Sequence, residues 1–331
     1  MFIDDDLDAL VARADLDGLV RLVDARCESR DWPGVLRIRD RSRAALESGR
    51  QLWPAATLAE YRLALRAPSE WATQVLHEDG GRFAIGPLTE VVAQNHSWSE
   101  MRDLLPRGPR RSFVAHERVL RGEAVDPDDL DDPVLDTPLR LLDWEPSYAL
   151  PVYGDDGVRC DSPIDLHRPQ WIDVEGSGDV EMLDDPSLEA AARALVTPWL
   201  DSSNGTLRTA IVSGGNDRVV AALRLGSARL DPLAPAEALA WLAWCAASGG
   251  VHGRRRGAAV GRFDAWWFVA AVGGLDWSDL GSEPSAAVHD ILESTTWWRL
   301  GTNEPDAPYQ LSIVAEHDGE TIAVVATDQR A

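Results

Sequence analysis

Lysine is absent from this chain: all 32 of its basic residues are arginine, in a sequence of 331 residues. Nothing in protein physics requires that exclusion, and it points to a GC-rich coding sequence. Bases are also few against 55 acids, which leaves a net charge of −23. A surface of that sign argues against nucleic acid and anionic membrane as partners, because both are bound through basic residues that neutralise phosphate. It favours a protein partner with a basic face. Cysteine is scarce as well. Cys27, Cys160 and Cys245 make neither a disulfide framework nor a metal-ligand spacing, so a reduced, cytoplasmic setting is expected. Apolar runs are broken by Gly, Asp or Arg well short of the ~20 residues that span a bilayer. The opening MFIDDDLDAL lacks the basic and apolar regions of a signal peptide.

The familiar catalytic signatures are missing too. There is no G-x-S-x-G, H-E-x-x-H, Walker loop or G-x-G-x-x-G. The seven histidines (His77, His96, His116, His167, His252, His289, His317) show no ligand spacing. A Ser–His–Asp site assembled only in three dimensions is recognised by geometry, so it stays open. Whether the chain is an enzyme is therefore open, and no metal or cofactor is expected. Acids at Asp126, Asp128, Asp129, Asp131 and Asp132 invite a calcium loop, but Pro127 and Leu130 do not fit the pattern such a loop needs.

What is present is organised around residues 235–277. Pro235 suits the first turn of a helix, and Glu237 complements the dipole there. Leu239, Trp241, Leu242 and Cys245 cover most of that helix, which predicts burial on most sides. Ser248, Gly249 and Gly250 stop it. A second helix is predicted from near Arg256, carrying Phe263, Trp266, Trp267 and Val269, and ending at Gly273-Gly274. Between them stand Arg254, Arg255 and Arg256, and cations at a helix start are unfavourable by about 0.3–1 kcal/mol each. Internal carboxylates would offset this, and so would a bound anion held with free backbone N–H groups.

Residues 1–122 read as all-helical. Leu7, Leu10 and Val11, then Leu19, Leu22 and Val23, follow the helical period. Asp15, Asp17 and Asp31 are plausible N-terminal residues, and further helices are predicted near 56–65, 69–76, 87–93, 98–105 and 110–120. Trp32, Trp71 and Trp98 each stand near the start of an apolar run, at spacings of 39 and 27. That fits a helical-repeat-like domain of HEAT type, or an ordinary bundle. Residues 123–185 form an acidic, proline-rich linker and an extended strap. The stretch 123–189 holds 20 acids and 3 arginines, a net of 3 − 20 = −17. Glu145, Tyr148 and Tyr153 either line a pocket or fix the strap by burying rings and tying down their polar ends.

Residues 186–331 read as an α+β domain, with helices packed on a small mixed or antiparallel sheet. Helices are predicted over 188–200, 218–225 and 285–293, and strands over 207–212, 228–233 and 297–300. The end is a hairpin over 309–315 and 321–326, with His317-Asp318-Gly319 in the turn. Three small constellations could hold a ligand. His252 with Arg254, Arg255, Arg256 and Arg262 suits a phosphoryl or carboxylate group. Asn204, in Ser202-Ser203-Asn204-Gly205, reads first as a turn. Asn216, in Ser213-Gly214-Gly215-Asn216, could hold an anion at a helix start or be an N-cap loop. The tryptophans at 241, 244, 266 and 267 read as core.

The runs LAWLAWCAASGGVHGRRRGAAVGRFDAWW, VTPWLDSSNG and WEPSYALPVY resemble a family of uncharacterised actinobacterial proteins, a domain of unknown function. The likeness is specific around residues 238–267 and weaker over 138–331. It implies an actinobacterial cytoplasmic protein and brings no activity, substrate or catalytic residue with it. The helical N-terminal part has no named counterpart. Two functions follow as expectations. One is a non-enzymatic interaction or regulatory protein whose helical domain docks a protein partner. The other is a small anionic ligand, a nucleotide or phosphate ester, bound at the 252–256 turn and acted on by a transferase or hydrolase.

Overall fold

A computed structural model describes residues 4–76, 86–131, 134–166, 168–281, 284–301 and 307–329. His77, His167 and Asp132 lie outside the described residues. The chain divides into two compact units: Met1–Val134 with Val152–Arg159, and Leu135–Pro151 with Cys160–Ala331. The stretch expected to be a linker is therefore shared between them. Its pieces carry the aromatic and charged residues that anchor each piece to a core.

The first unit is helical: α1 (Asp4–Arg13), α2 (Leu16–Glu28), α3 (Trp32–Ala44), α4 (Trp53–Arg66), α5 (Ser69–Ala72), α6 (Leu88–Asn95), α7 (Trp98–Met101) and α8 (Pro109–Leu120). Two aspartates start helices by the same device. Asp15 accepts the Gly18 N–H at 2.9 Å for α2, and Asp31 accepts the Gly34 N–H at 3.0 Å for α3. Leu19, Val23, Val35, Leu63, Val91 and Val114 are fully buried. Three buried acids sit among them, each with a partner: Glu60 pairs with Arg43, Glu117 with Arg121, and Glu90 accepts the Tyr153 hydroxyl. Tyr153 belongs to the hairpin of β1 (Val152–Gly154) and β2 (Gly157–Arg159). Gln94 of α6 exchanges two hydrogen bonds with the Tyr153 backbone, at 3.1 and 2.7 Å, and Tyr61 of α4 donates to the Gly154 carbonyl at 2.6 Å.

The second unit is α+β. Its strands are β3 (Ile172–Glu175), β4 (Thr206–Ser213), β5 (Ser227–Leu233), β6 (Thr296–Gly301), β7 (Tyr309–His317) and β8 (Glu320–Asp328). They form one sheet in the order β3-β5-β6-β7-β8-β4, antiparallel throughout, and so not mixed. The β7–β8 turn has two residues, Asp318 and Gly319, both left-handed at φ 46° and 80°. A twisted hairpin needs that geometry, and Asp-Gly supplies it.

The helices are α9 (Pro186–Ala194), α10 (Thr197–Ser202), α11 (Asn216–Ala222), α12 (Pro235–Ala247), α13 (Ala258–Val272) and α14 (Ser285–Ser294). On one face of the sheet Val219, Val220 and Leu223 of α11 pack with Ala210, Val212, Leu230, Leu300, Val314 and Val325. On the other face α12 packs on β6 and β7, and α13 packs on α12 with α9 and α14 beside it. Both helices of the central pair are buried nearly all round, as the spread of apolar residues predicts for α12. Where they meet, a Cβ on Gly261 would lie 2.3 Å from the Ala243 carbonyl oxygen, so only glycine permits the approach. The single helix expected over 188–200 is broken in two. Pro198 has no N–H for the Ala194 carbonyl, and the Arg256 guanidinium takes that oxygen at 2.9 Å. Among the described residues no helix is long and apolar enough to cross a membrane.

Candidate functional site

The arginine turn between α12 and α13 is largely occupied by the protein itself. The helix begins at Ala258, so the three arginines precede it. Arg256 bridges the Ala194 carbonyl and the Asp264 carboxylate, the latter at 2.5 Å. Burial pushes the Asp264 carboxyl up to about 6, while the charge and hydrogen bond of Arg256 pull it the other way. Arg262 is 1% exposed and fully spent. Its guanidinium forks onto Glu145 at 2.7 and 2.6 Å and also donates to the carbonyls of Pro138 and Arg140. Glu145 in turn accepts from the Tyr148 hydroxyl at 2.7 Å. Burial and the Glu145 charge hold that phenol well above its usual range. Residues 138–148 are thus pinned to α13 by a closed polar knot, and Glu145 and Tyr148 act as anchors. His252 and Arg254 are exposed.

One part of the turn joins two of the sequence constellations. Asp328, the last residue of β8 and fully buried, accepts the Ser203 hydroxyl at 2.9 Å and the Val251 N–H at 2.6 Å. Ser203 accepts the His252 N–H at 3.2 Å. The serine meets the aspartate directly, with the imidazole of His252 outside the contact, so this cluster ties loops together and has no relay geometry. Asn204 is exposed in the turn after α10, and Asn216 opens α11, a helix of seven residues.

Two pockets lie elsewhere. In the helical unit one of about 580 Å³ is lined by Cys27, Arg30, Trp32, Arg66, Asn95 and His96, among others. Burial pushes the Cys27 thiol up to about 11 and lowers the His96 pKa, so at neutral pH both groups are uncharged and Cys27 is no nucleophile. In the α+β unit a pocket of about 470 Å³ opens where the segment after β2 crosses the sheet. Its walls are Trp241 and Trp244 from α12, Arg299 from β6, Tyr309 and Gln310 from β7, and Cys160, Asp161 and Ser162 from the crossing segment. Trp244 and Tyr309 stack at 5.7 Å and 15°, and Trp199 meets Tyr309 edge-on at 6.0 Å. The Trp244 indole donates to the Cys160 carbonyl at 3.3 Å, which fixes the crossing segment. Trp241 is 2% exposed, and its indole N–H is closed off from solvent with no hydrogen-bond partner among the described residues. Arg299 is half-buried and makes no ion pair or hydrogen bond among the described residues. It lies over the Trp171 ring, 5.6 Å from the centroid.

With the geometry in place, the comparison with known proteins locates the chain. The model of a family of unknown function, DUF6183, matches residues 17–330. The chain belongs to that family. The DUF6183 match extends beyond 138–331, where the resemblance was legible, and takes in the helical unit except its first helix. Neither a curated protein nor a solved structure matches the chain.

Sequence reasoning named Trp241 and Trp244 as core and passed over Arg299, Tyr309, Gln310 and Cys160. These residues are scattered over 150 positions, and no local spacing marks them. The one available signal was alternation in β6. It puts Arg299 on the same face as Trp297, which is buried at 1%.

Proposed function

We propose that the α+β unit is a small-molecule-binding module and that its ligand sits between α12 and strands β6 and β7. Ligand pockets are commonly cavities of about 300–1,000 Å³, and the pocket at Trp241, Trp244 and Tyr309 has that size at about 470 Å³, with polar groups making up most of its accessible lining. The observation that carries the reading is Arg299, a half-buried guanidinium in the pocket wall with no ion pair or hydrogen bond among the described residues. A buried donor left without a partner costs about 1–3 kcal/mol, and a ligand acceptor removes that cost. On this reading the ligand lies away from the 252–256 turn, since Arg256 there and Arg262 in α13 are engaged by carboxylates. The role is binding or regulation in the cytoplasm; no reaction is assigned.

The test is a thermal-shift and tryptophan-fluorescence screen of the full chain against small metabolites. A ligand at 100 times its Kd adds about 2.7 kcal/mol and raises the melting temperature visibly. The hit should quench or shift indole emission and should vanish in Tyr309→Ala. Hits that survive in Tyr309→Ala, or a flat screen, would count against the pocket.

A second reading concerns the helical unit, as a HEAT-type stack or a bundle that docks a protein partner. The connection between α3 and α4 supports it, because Leu46 is 60% and Trp53 36% exposed there. Crosslinking of the full chain in cell extract should capture a partner at this connection, and a Leu46→Glu variant should lose it. A protein that stays monomeric and uncrosslinked would argue against that reading.

A further inference from the structure

The chain spends its arginines carefully. Arg43, Arg118, Arg121, Arg256 and Arg262 are all partly or fully buried, and each is paired with a carboxylate. Arg299 is the contrast. It stands half-buried in the pocket wall with no ion pair or hydrogen bond among the described residues, and the face of Trp171 against it consumes none of its five N–H donors. Arg229 lies 4.9 Å from the centroid of the same ring, so one indole holds two guanidiniums in place. Strand pairing sets Asp231 opposite Arg299, but Asp231 is fully buried and accepts the Gln170 N–H at 2.6 Å.

From this we infer that the ligand is a small organic carboxylate with an apolar body, and that Arg299 binds its carboxylate while the partly exposed Tyr309 ring meets the body. The inference rests on the pocket reading above and narrows it to a ligand class. Two features converge on it. A guanidinium positioned through its face keeps its edge donors for a forked, two-bond contact, which matches a carboxylate. The partly exposed ring of Tyr309 in the same pocket offers a small apolar surface that a bare inorganic anion would leave unused. Asp161 also lines the pocket, so the local charges roughly balance. Affinity then depends on the fork more than on net field, and moderate salt should weaken binding only slightly.

The experiment is ligand-observed NMR on the full chain with three matched pairs: benzoate and benzamide, phenylacetate and phenylacetamide, indole-3-acetate and indole-3-acetamide. Inorganic phosphate serves as competitor. The acids should bind, and each amide should bind at least tenfold more weakly. Arg299→Gln should erase the preference for the acid. Arg299→Lys should restore part of it, since an ammonium carries the charge without the fork. Circular dichroism of both variants checks that the fold persists, and if Arg299→Gln fails to fold, Arg299→Lys alone must weaken the acids more than the amides. Amides that bind as well as acids would overturn the carboxylate assignment and leave the pocket standing. Phosphate that displaces the acids at equal concentration would overturn the apolar body. Acid binding that ignores both variants would remove Arg299 from the site. If no probe of any pair binds, both the class and the pocket reading fail.

Discussion

Arg262 and Glu145 form the most deeply buried ion pair among the described residues, at 1% and 0% side-chain exposure. Two charges out of water are tolerated here because every strong donor and acceptor is engaged: two carbonyls complete the guanidinium, and the Tyr148 hydroxyl serves the carboxylate. Removing one partner strands the other. Arg262→Met should therefore cost about 3–5 kcal/mol in urea unfolding, the usual penalty for an uncompensated buried charge. A loss below about 1 kcal/mol would mean that water reaches Glu145 and the pair is no anchor. Asp264 makes a different statement about the same helix. Its carboxyl titrates near 6 in the folded chain, against 3.8 for a free aspartate, and its side chain is 4% exposed. A raised folded pKa means that the native state holds the proton more tightly. The resulting stabilisation is complete at low pH and lost as pH rises through about 6. Two units correspond to about 3 kcal/mol. Measured from about pH 4 to pH 7, the wild type should lose roughly that much stability relative to Asp264→Asn, which cannot titrate. Parallel pH profiles for the two proteins would contradict this.

At the scale of elements, the legible parts were those whose physics is local. The caps at Asp15 and Asp31, the Asp-Gly turn of the last hairpin, and the burial of α12 on most sides each depend on residues a few positions apart. The break between α9 and α10 was also local, since Pro198 stands in the sequence. It was missed because the apolar period runs on through the proline. What no window could show is which far residue meets which: that Arg256 caps the broken end at Ala194, that Glu145 reaches Arg262, or that Arg299, Trp241 and Cys160 share one pocket. Gly261 illustrates the difference. By helix propensity alone, Gly261→Ala should stabilise α13 by about 0.5–1 kcal/mol. The contact with the Ala243 carbonyl reverses the sign, because the new Cβ needs α12 and α13 to part. The expected result is a net loss of about 1–3 kcal/mol and a lower melting temperature. A raised melting temperature would show that the two helices can separate freely.

At the scale of the whole molecule, the chain passes between its two units at residues 134–135, 151–152 and 159–160. Sequence composition set segment limits at 122–123 and 185–186, the two ends of the acidic stretch. Anchorage assigns the pieces of that stretch to one unit or the other. Residues 135–151 belong to the α+β unit through Glu145 and Tyr148, and residues 152–159 belong to the helical unit through Tyr153 and Asp155. A cut after residue 159, at the last passage between the units, is therefore wrong in energy. It would leave the Arg262 guanidinium buried in α13 with its carboxylate and both carbonyl acceptors gone, a loss of about 3–5 kcal/mol. Domains are stable by only about 5–15 kcal/mol, so that deficit is a large share of the total. A piece spanning 135–331 should unfold cooperatively on heating. One spanning 160–331 should show a broadened transition or none, and Arg262→Met should destabilise the longer piece but leave the shorter one unchanged. Equal, sharp transitions for the two pieces would mean that the strap is dispensable and that the unit is held by its sheet and the α12–α13 pair alone.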